Sequence, residues 1–282
     1  MIVWALFDSG NGCYKQAIEK YFLELEIEVF SIGMDIENRN SHFLHVDLSS
    51  FDELFGKNTL FERLDKLPKP DVILASPPCE SWSVASSMEN GNRCWYTQKI
   101  ETLLDEYQAE NHFTLRTKEQ LERNNQTHFR AHWYKTVYNR INGELCAFNT
   151  IRIIERYEPK IWVIENPQSS KMWKYFHQIH QFEGYKNVAY YYAYDKNFSR
   201  KPTTFYSNVW LNLLKTEEKA SIVMSPINKK KKEDRKTIGR SYNQRSNIPL
   251  NLIEDIMNQI LQKKIFGGKG NGAKIENYYL QR

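Results

Sequence analysis

Residues 72–83 read VILASPPCESWS. Four apolar residues run into Ser76, two prolines and a cysteine. Proline carries no N–H and fixes φ, so a strand entering at residue 72 cannot extend its ladder through 77–78. The longer run PDVILAS (70–76) is almost unbroken in apolar character, which suits a strand covered on both faces, as parallel sheets require. Cys79 therefore stands on a stiff loop just beyond a strand end. A helix starting after it would lower the thiol pKa.

Working outward, apolar runs predict further strands over 2–7, 28–35, 42–48 and 160–166, with later strands over 187–195 and 203–211. Helical spacing occupies 13–25, 51–67, 147–157, 168–179 and 248–265, the last with Pro249 in its first turn. Strands alternating with helices predict an α/β fold with a doubly wound, mostly parallel sheet. Ligands bind such sheets beyond the C-terminal ends of the strands. The loops DSGNG, DIEN, DLSS, SPPCES and ENPQ all follow strands, so the topology gathers them along one edge. Two segments break the alternation: a polar, aromatic and charged insertion over 86–145, and a lysine-rich stretch over 214–240. The expected organisation is one main domain over 1–85 and 146–270, the insertion 86–145 as a separate lobe, and a tail over 271–282.

The composition narrows the function classes. Hydrophobic residues are 41% and charged residues 26%, an ordinary soluble balance. No run of about 18 apolar residues is present, so no membrane span is expected. MIVWALFDSGNG has no basic leader and reads as a first strand, which points to a cytoplasmic protein. Cys13, Cys79, Cys94 and Cys146 are widely and irregularly spaced, which suits neither a zinc site nor a disulfide framework, and no metal is expected. The net charge of +5 fits a polyanionic partner. Lys229, Lys230, Lys231 and Lys232 form the densest basic run and are candidates for phosphate contact.

The loop FDSGNG, with Phe7, Asp8, Gly10 and Gly12, lets a ligand approach the backbone after the first strand. Asp35, with Ile36 and Glu37, ends the second strand where α/β sheets commonly place a carboxylate for ribose hydroxyls. Asp47 follows the third strand and is a candidate for an adenine amino group. Glu165 ends the strand VIEN beyond the same edge as Cys79, and a thiol beside a carboxylate suggests covalent catalysis with an acid partner. Asn166 and Pro167 stiffen that second loop. Arg93 and Trp95 belong to the basic and aromatic mixture of the insertion, which suits nucleic-acid contact.

Taken together, Pro78-Cys79-Glu80-Ser81-Trp82-Ser83 and Glu165-Asn166-Pro167 resemble the nucleophile and acid loops of the DNA cytosine-5 methyltransferases. The likeness extends to ALFDSGNG as a cofactor loop, with Asp8 where a small residue is usual. It also extends to FSRKPTTFYSN (198–208) as the arginine-bearing strand, and to RSNIPLNLIEDI (245–256) as the terminal motif whose helix packs beside the first strand. The resemblance implies the methyltransferase version of the α/β sheet and S-adenosylmethionine as cofactor, held near Phe7, Asp8, Gly10, Gly12, Asp35, Ile36, Asp47 and Pro77. It implies Cys79 as nucleophile, Glu165 as the base-activating acid, Arg200 as a catalytic cation, and Ser83, Asn166 and Lys201 near a flipped cytosine in duplex DNA, as in enzymes of phage or restriction–modification type. The interval 209–240 is too short for the family's usual target-reading region, so the insertion or a separate specificity subunit would supply recognition. Competing readings are an RNA methyltransferase, an amino-methyltransferase built on Ser76-Pro77-Pro78, and a binding or partner subunit that keeps the fold without turnover.

Overall fold

The computed structural model describes residues 1–8, 12–34, 42–83, 94–99, 111–125, 133–220, 222–223, 236–237 and 246–266. Seven strands form one sheet: β1 (Ile2–Leu6), β2 (Glu28–Gly33), β3 (Phe43–His45), β4 (Val72–Ala75), β7 (Ile161–Pro167), β8 (Tyr185–Tyr190) and β9 (Pro202–Ser207). Their order is β3-β2-β1-β4-β7-β9-β8. The first four pairings are parallel, and β9 runs antiparallel between β7 and β8. The expected α/β class with a mostly parallel sheet is therefore the observed one.

Alternation along each central strand divides the core. Val3 and Ala5 of β1, with Val72 and Leu74 of β4, face α1 (Cys13–Tyr21) and the long C-terminal helix over Leu250–Phe266. Trp4 and Leu6, with Ile73 and Ala75, face the opposite layer, which contains α2 (Thr59–Leu64). Both faces of β1 and β4 are thus covered, which explains their lack of polar residues.

Between β4 and β7 lie a hairpin of β5 (Trp95–Lys99) with β6 (Asn111–Leu115), then α3 (Lys118–Asn125) and α4 (Trp133–Tyr157). A reciprocal cap starts α3: Gln120 N–H donates to Thr117 Oγ1, and Thr117 N–H donates to Gln120 Oε1. Helix α4 passes unbroken through residues 145–146, where the sequence suggested a domain boundary. Its C-terminal half buries Ala147, Ile151 and Ile154 against the sheet.

Several elements are shorter than expected. The helix expected over 51–67 splits into a 3₁₀ turn (Asp52–Phe55) and α2, because Gly56 takes φ 73° between them. The helix expected over 168–179 is a short α5 (Met172–Lys174) running into a π turn (Tyr175–Ile179). The strand expected over 187–195 ends at Tyr190 and turns into the helical α6 (Tyr191–Tyr194). The last long helix, α7, covers Leu250–Phe266. The tail 271–282 lies outside the described residues.

Candidate active site

The parallel pairing of β4 with β7 sets Ala75 opposite Ile164. Beyond that pair β4 ends and its chain leaves the sheet as Ser76 to Cys79, whereas β7 continues through Glu165 to Pro167, with Glu165 opposite Phe205 of β9. Ser76 N–H still donates to Leu6 O at 3.2 Å, and the two prolines then end the ladder. Asn166 and Pro167, expected in a loop, are the last residues of β7, and the fully buried Asn166 reaches across to the cysteine loop, donating from Nδ2 to Pro77 O at 2.9 Å. Among the described residues its Oδ1 is buried without a hydrogen-bond partner.

Only a turn follows Cys79 among the described residues, with Trp82 and Ser83 N–H donating to the Cys79 carbonyl at 3.1 and 2.8 Å. The expected depression of the thiol pKa is not found. Burial pushes it up, the Glu165 carboxylate pushes further, and the Lys201 ammonium opposes them. Trp82 is fully buried, its ring 5.9 Å from and nearly parallel to that of Trp95, and 5.0 Å from that of Tyr175. Trp95 is 7% exposed, so this candidate DNA contact is a core residue behind the cysteine loop. Ser83 lies in that loop, tied through its backbone to Cys79.

Gly143 of α4 presses on the loop from the other side. A Cβ at this position would lie 2.0 Å from Ser81 Oγ and 3.1 Å from both Ser81 Cβ and Trp82 Nε1. A glycine inside a helix costs about 1 kcal/mol relative to alanine, so this close approach is the physical reason for its presence.

Glu165 is 7% exposed. Tyr191 Oη donates to its Oε1 at 3.1 Å, and Lys201 Nζ lies 3.9 Å from the same oxygen. Lys201 Nζ also sits 4.6 Å above the Tyr191 ring. No hydrogen bond engages Glu165 Oε2 among the described residues, which leaves it for a ligand. Tyr14 approaches from α1 with its hydroxyl 2.7 Å from Ser76 Oγ. Burial and the Glu165 charge hold the Tyr14 and Tyr191 phenols protonated, far above the usual tyrosine range.

Arg200 points elsewhere. Its guanidinium lies over the Tyr190 ring at 4.7 Å and pairs with exposed Glu217 at 3.1 Å. Lys201, at φ 24°, turns the chain between them, so the cation at Glu165 is the lysine. A non-glycine residue in the left-handed region stores strain, and Phe7, at φ 59° on the end of β1, is a second such residue at this edge.

Past the end of β1, Asp8 is 5% exposed and accepts from Ser31 Oγ at 2.6 Å. Gly12 adopts φ 48°, and a Cβ there would lie 3.1 Å from Asp8 Oδ2. Asp47 is exposed, and its Oδ1 accepts from Ser49 N–H and Oγ in a local turn. Pro77 contributes the carbonyl held by Asn166. Gly10, Asp35, Ile36, Arg93 and Lys229 to Lys232 lie outside the described residues. A cleft of about 580 Å³ opens between the start of α1 and the start of α7. Cys13, Gln16, Phe198 and Asn247 help line it; Cys79 and Glu165 do not.

Sequence reading passed over Tyr14, Gly143 and Tyr191. The signal for Gly143 was a lone glycine in the otherwise helical RINGELCAF; the tyrosines carried none, because their roles depend on contacts distant in the chain. No family model matches the chain, and no curated protein matches it.

Proposed function

We propose that this chain is a nucleic-acid cytosine-5 methyltransferase acting on DNA, with S-adenosylmethionine as methyl donor. The observation that carries the reading is the placement of Cys79 just past the end of β4 and of Glu165 on the adjacent parallel strand β7, with the carboxylate the strongest charge acting on the thiol. The strand order, with an antiparallel β9 between β7 and β8, supports the methyltransferase version of the α/β sheet. The amino-methyltransferase reading gives Cys79 and Glu165 no work.

The residues present fit the cofactor. Gly12 lacks the Cβ that would press on Asp8 Oδ2, and Asp8 brings a buried carboxylate to the end of β1. Asp8, Gly12 and Phe7 would hold the donor, which supplies an electrophilic methyl group when bound.

The chemistry of the chain's own residues runs through one proton. An ionised Glu165 opposes ionisation of Cys79, as adjacent like charges do. Moving the Cys79 proton to Glu165, directly or through water, removes that opposition and creates the pair the reaction needs: a thiolate nucleophile and a carboxylic acid. Lys201 stabilises the thiolate. Cys79 Sγ then bonds to C6 of the cytosine, and the displaced π electrons pass toward C5 and N3. Glu165 gives its proton to N3, while Tyr191 fixes Oε1 and leaves Oε2 to face the base. Once C5 carries the methyl group, its remaining proton leaves to water and the C5–C6 double bond re-forms. Cys79 departs as thiolate, and both it and N3 return to their starting proton count through Glu165. A thiolate serves because it both attacks and leaves readily. The base must stand outside the duplex for Cys79 to reach C6.

The test is duplex DNA carrying 5-fluorocytosine, because fluorine cannot depart as a cation and so blocks the elimination step. A covalent protein–DNA adduct that needs both S-adenosylmethionine and Cys79 is expected. Absence of any adduct across a library of duplexes carrying 5-fluorocytosine in varied sequence contexts would overturn the reading.

A further inference from the structure

We propose that α4, the last element of the insertion, seats the nucleophile: Gly143 is a positioning residue whose missing side chain sets where Cys79 stands, so that movement of the insertion moves the thiol. Its link to methyl transfer rests on the function proposed above; its link to the thiol does not.

Three observations carry it. First, the contact is made without a side chain on the helix. The 2.0 Å approach to Ser81 Oγ is one that a serine rotation can relieve, but the approaches to Ser81 Cβ and Trp82 Nε1 are fixed by the backbone and by an immobile indole. Second, the loop has little room to retreat. Trp82 is packed on Trp95 and Tyr175, and its carbonyl accepts from Lys171 N–H at 2.9 Å. A push at Ser81 is therefore passed two residues back along the turn to Cys79, whose carbonyl closes that turn. Third, shape and not hydrogen bonding holds the contact. Among the described residues Ser81 Oγ and Trp82 Nε1 are buried there without hydrogen-bond partners, while Arg140 Nε and Glu144 Oε1, on the same helix, pair with each other at 3.6 Å. A seat held by shape follows its support, and the support here is continuous with the insertion: Cys94, next to Trp95, bonds through Sγ to Thr136 O of α4 at 3.4 Å.

The experiment is the variant Gly143→Ala with Ser81→Gly as its second-site partner, in the full chain. Iodoacetamide modification of Cys79 is followed by peptide mass spectrometry from pH 7 to pH 10, with Cys13 in the same sample as reference. Gly143→Ala is expected to change the Cys79 rate at least fivefold and shift its pH midpoint, with Cys13 within twofold of its original rate. Methyl transfer is expected to fall at least thirtyfold. Ser81→Gly removes Oγ and Cβ, two of the three atoms that a Cβ would meet, and leaves only the 3.1 Å approach to Trp82 Nε1, so the double variant should return both quantities most of the way to their original values. Should Gly143→Ala unfold the chain, recovery of the fold by Ser81→Gly supports the same contact. An unchanged Cys79 rate in Gly143→Ala, or a defect that Ser81→Gly does not repair, overturns the proposal. A wild-type chain that transfers no methyl group would sink the proposed function and leave the alkylation result to decide this one.

Discussion

Asn166 donates its amide to the carbonyl of Pro77, so the strand bearing Glu165 and the loop bearing Cys79 are tied together by one buried side chain. Replacing it with alanine leaves that carbonyl without its donor, at a cost of about 1–3 kcal/mol. Aspartate should do worse, because an ionised carboxylate repels the carbonyl it faces. Thermal denaturation of Asn166→Ala and Asn166→Asp should show melting points lowered by several degrees, in that order. Wild-type melting in both would mean the tie is not made.

Tyr191 and Lys201 divide the care of one oxygen of Glu165. Tyr191→Phe keeps the packing and removes only the hydroxyl. Losing a hydrogen bond to a charged group should slow methyl transfer by roughly tenfold to a hundredfold. Glu165→Gln, which removes the acid itself, should slow it by roughly a hundredfold or more. Equal rates for wild type and Tyr191→Phe would assign the hydroxyl no part in the reaction.

The two neighbouring cations should separate cleanly. Lys201→Met removes the charge beside Glu165 that also opposes the upward push on the Cys79 thiol, whereas Arg200→Met removes a partly exposed pair with Glu217. Exposed pairs contribute about 0–1 kcal/mol. Turnover should collapse in the first variant and change little in the second. The reverse order would restore the arginine to the catalytic role its sequence position suggested.

Cys146 gives a pH signature of the fold. Burial, with the Asp47 charge, pushes its thiol from 9.0 to about 12. Below pH 9 both folded and unfolded chains keep this proton. Above pH 9 the unfolded chain releases it while the folded chain holds it, so stability falls as pH rises, by about 1.4 kcal/mol per unit from this group alone. Urea denaturation at pH 8.5 and 10.5 should therefore show a loss smaller by about 2 kcal/mol in Cys146→Ala. An identical loss in both proteins would refute the assignment.

Exchange experiments must respect α4. Replacing 86–145 from a related enzyme removes Trp95 from behind the cysteine loop and cuts the helix two residues beyond Gly143. Such a chimera should melt at least several degrees lower and lose activity. A chimera exchanging only 96–132 should keep the wild-type melting point, and any change of target sequence can then be read from it. Equal stability of the two chimeras would show that the insertion is the separable lobe its composition suggests.

Much of the central sheet was legible because β1, β4 and β7 are short, continuous apolar runs with few alternatives. The Cys79 and Glu165 loops were legible for the same reason: each is the first chemistry after such a run. Other features depend on what a residue meets in space. Tyr190 to Tyr192 has the composition of a strand, yet the chain coils at Tyr191 to bring its hydroxyl to Glu165. The first half of α4 is polar and carries a glycine, so its period is weak and its start was missed. Arg200 and Lys201 are adjacent in the chain, and only the backbone turn at φ 24° decides which of them faces the acid.

The placing of β9 and α7 has a bearing on how the chain is made. Strand β9 fills the gap between β7 and β8, which the ribosome releases first, and α7 covers the face of α1 more than two hundred residues after α1 has emerged. During synthesis Tyr14, Ala17 and Ile18 thus await a partner that arrives with the final helix. Contacts so distant in sequence close slowly. Nascent chains released before residue 250 should present an uncovered apolar helix face to chaperones, and maturation of the Cys79 loop, linked to that helix through Tyr14 and Ser76, should be a late event.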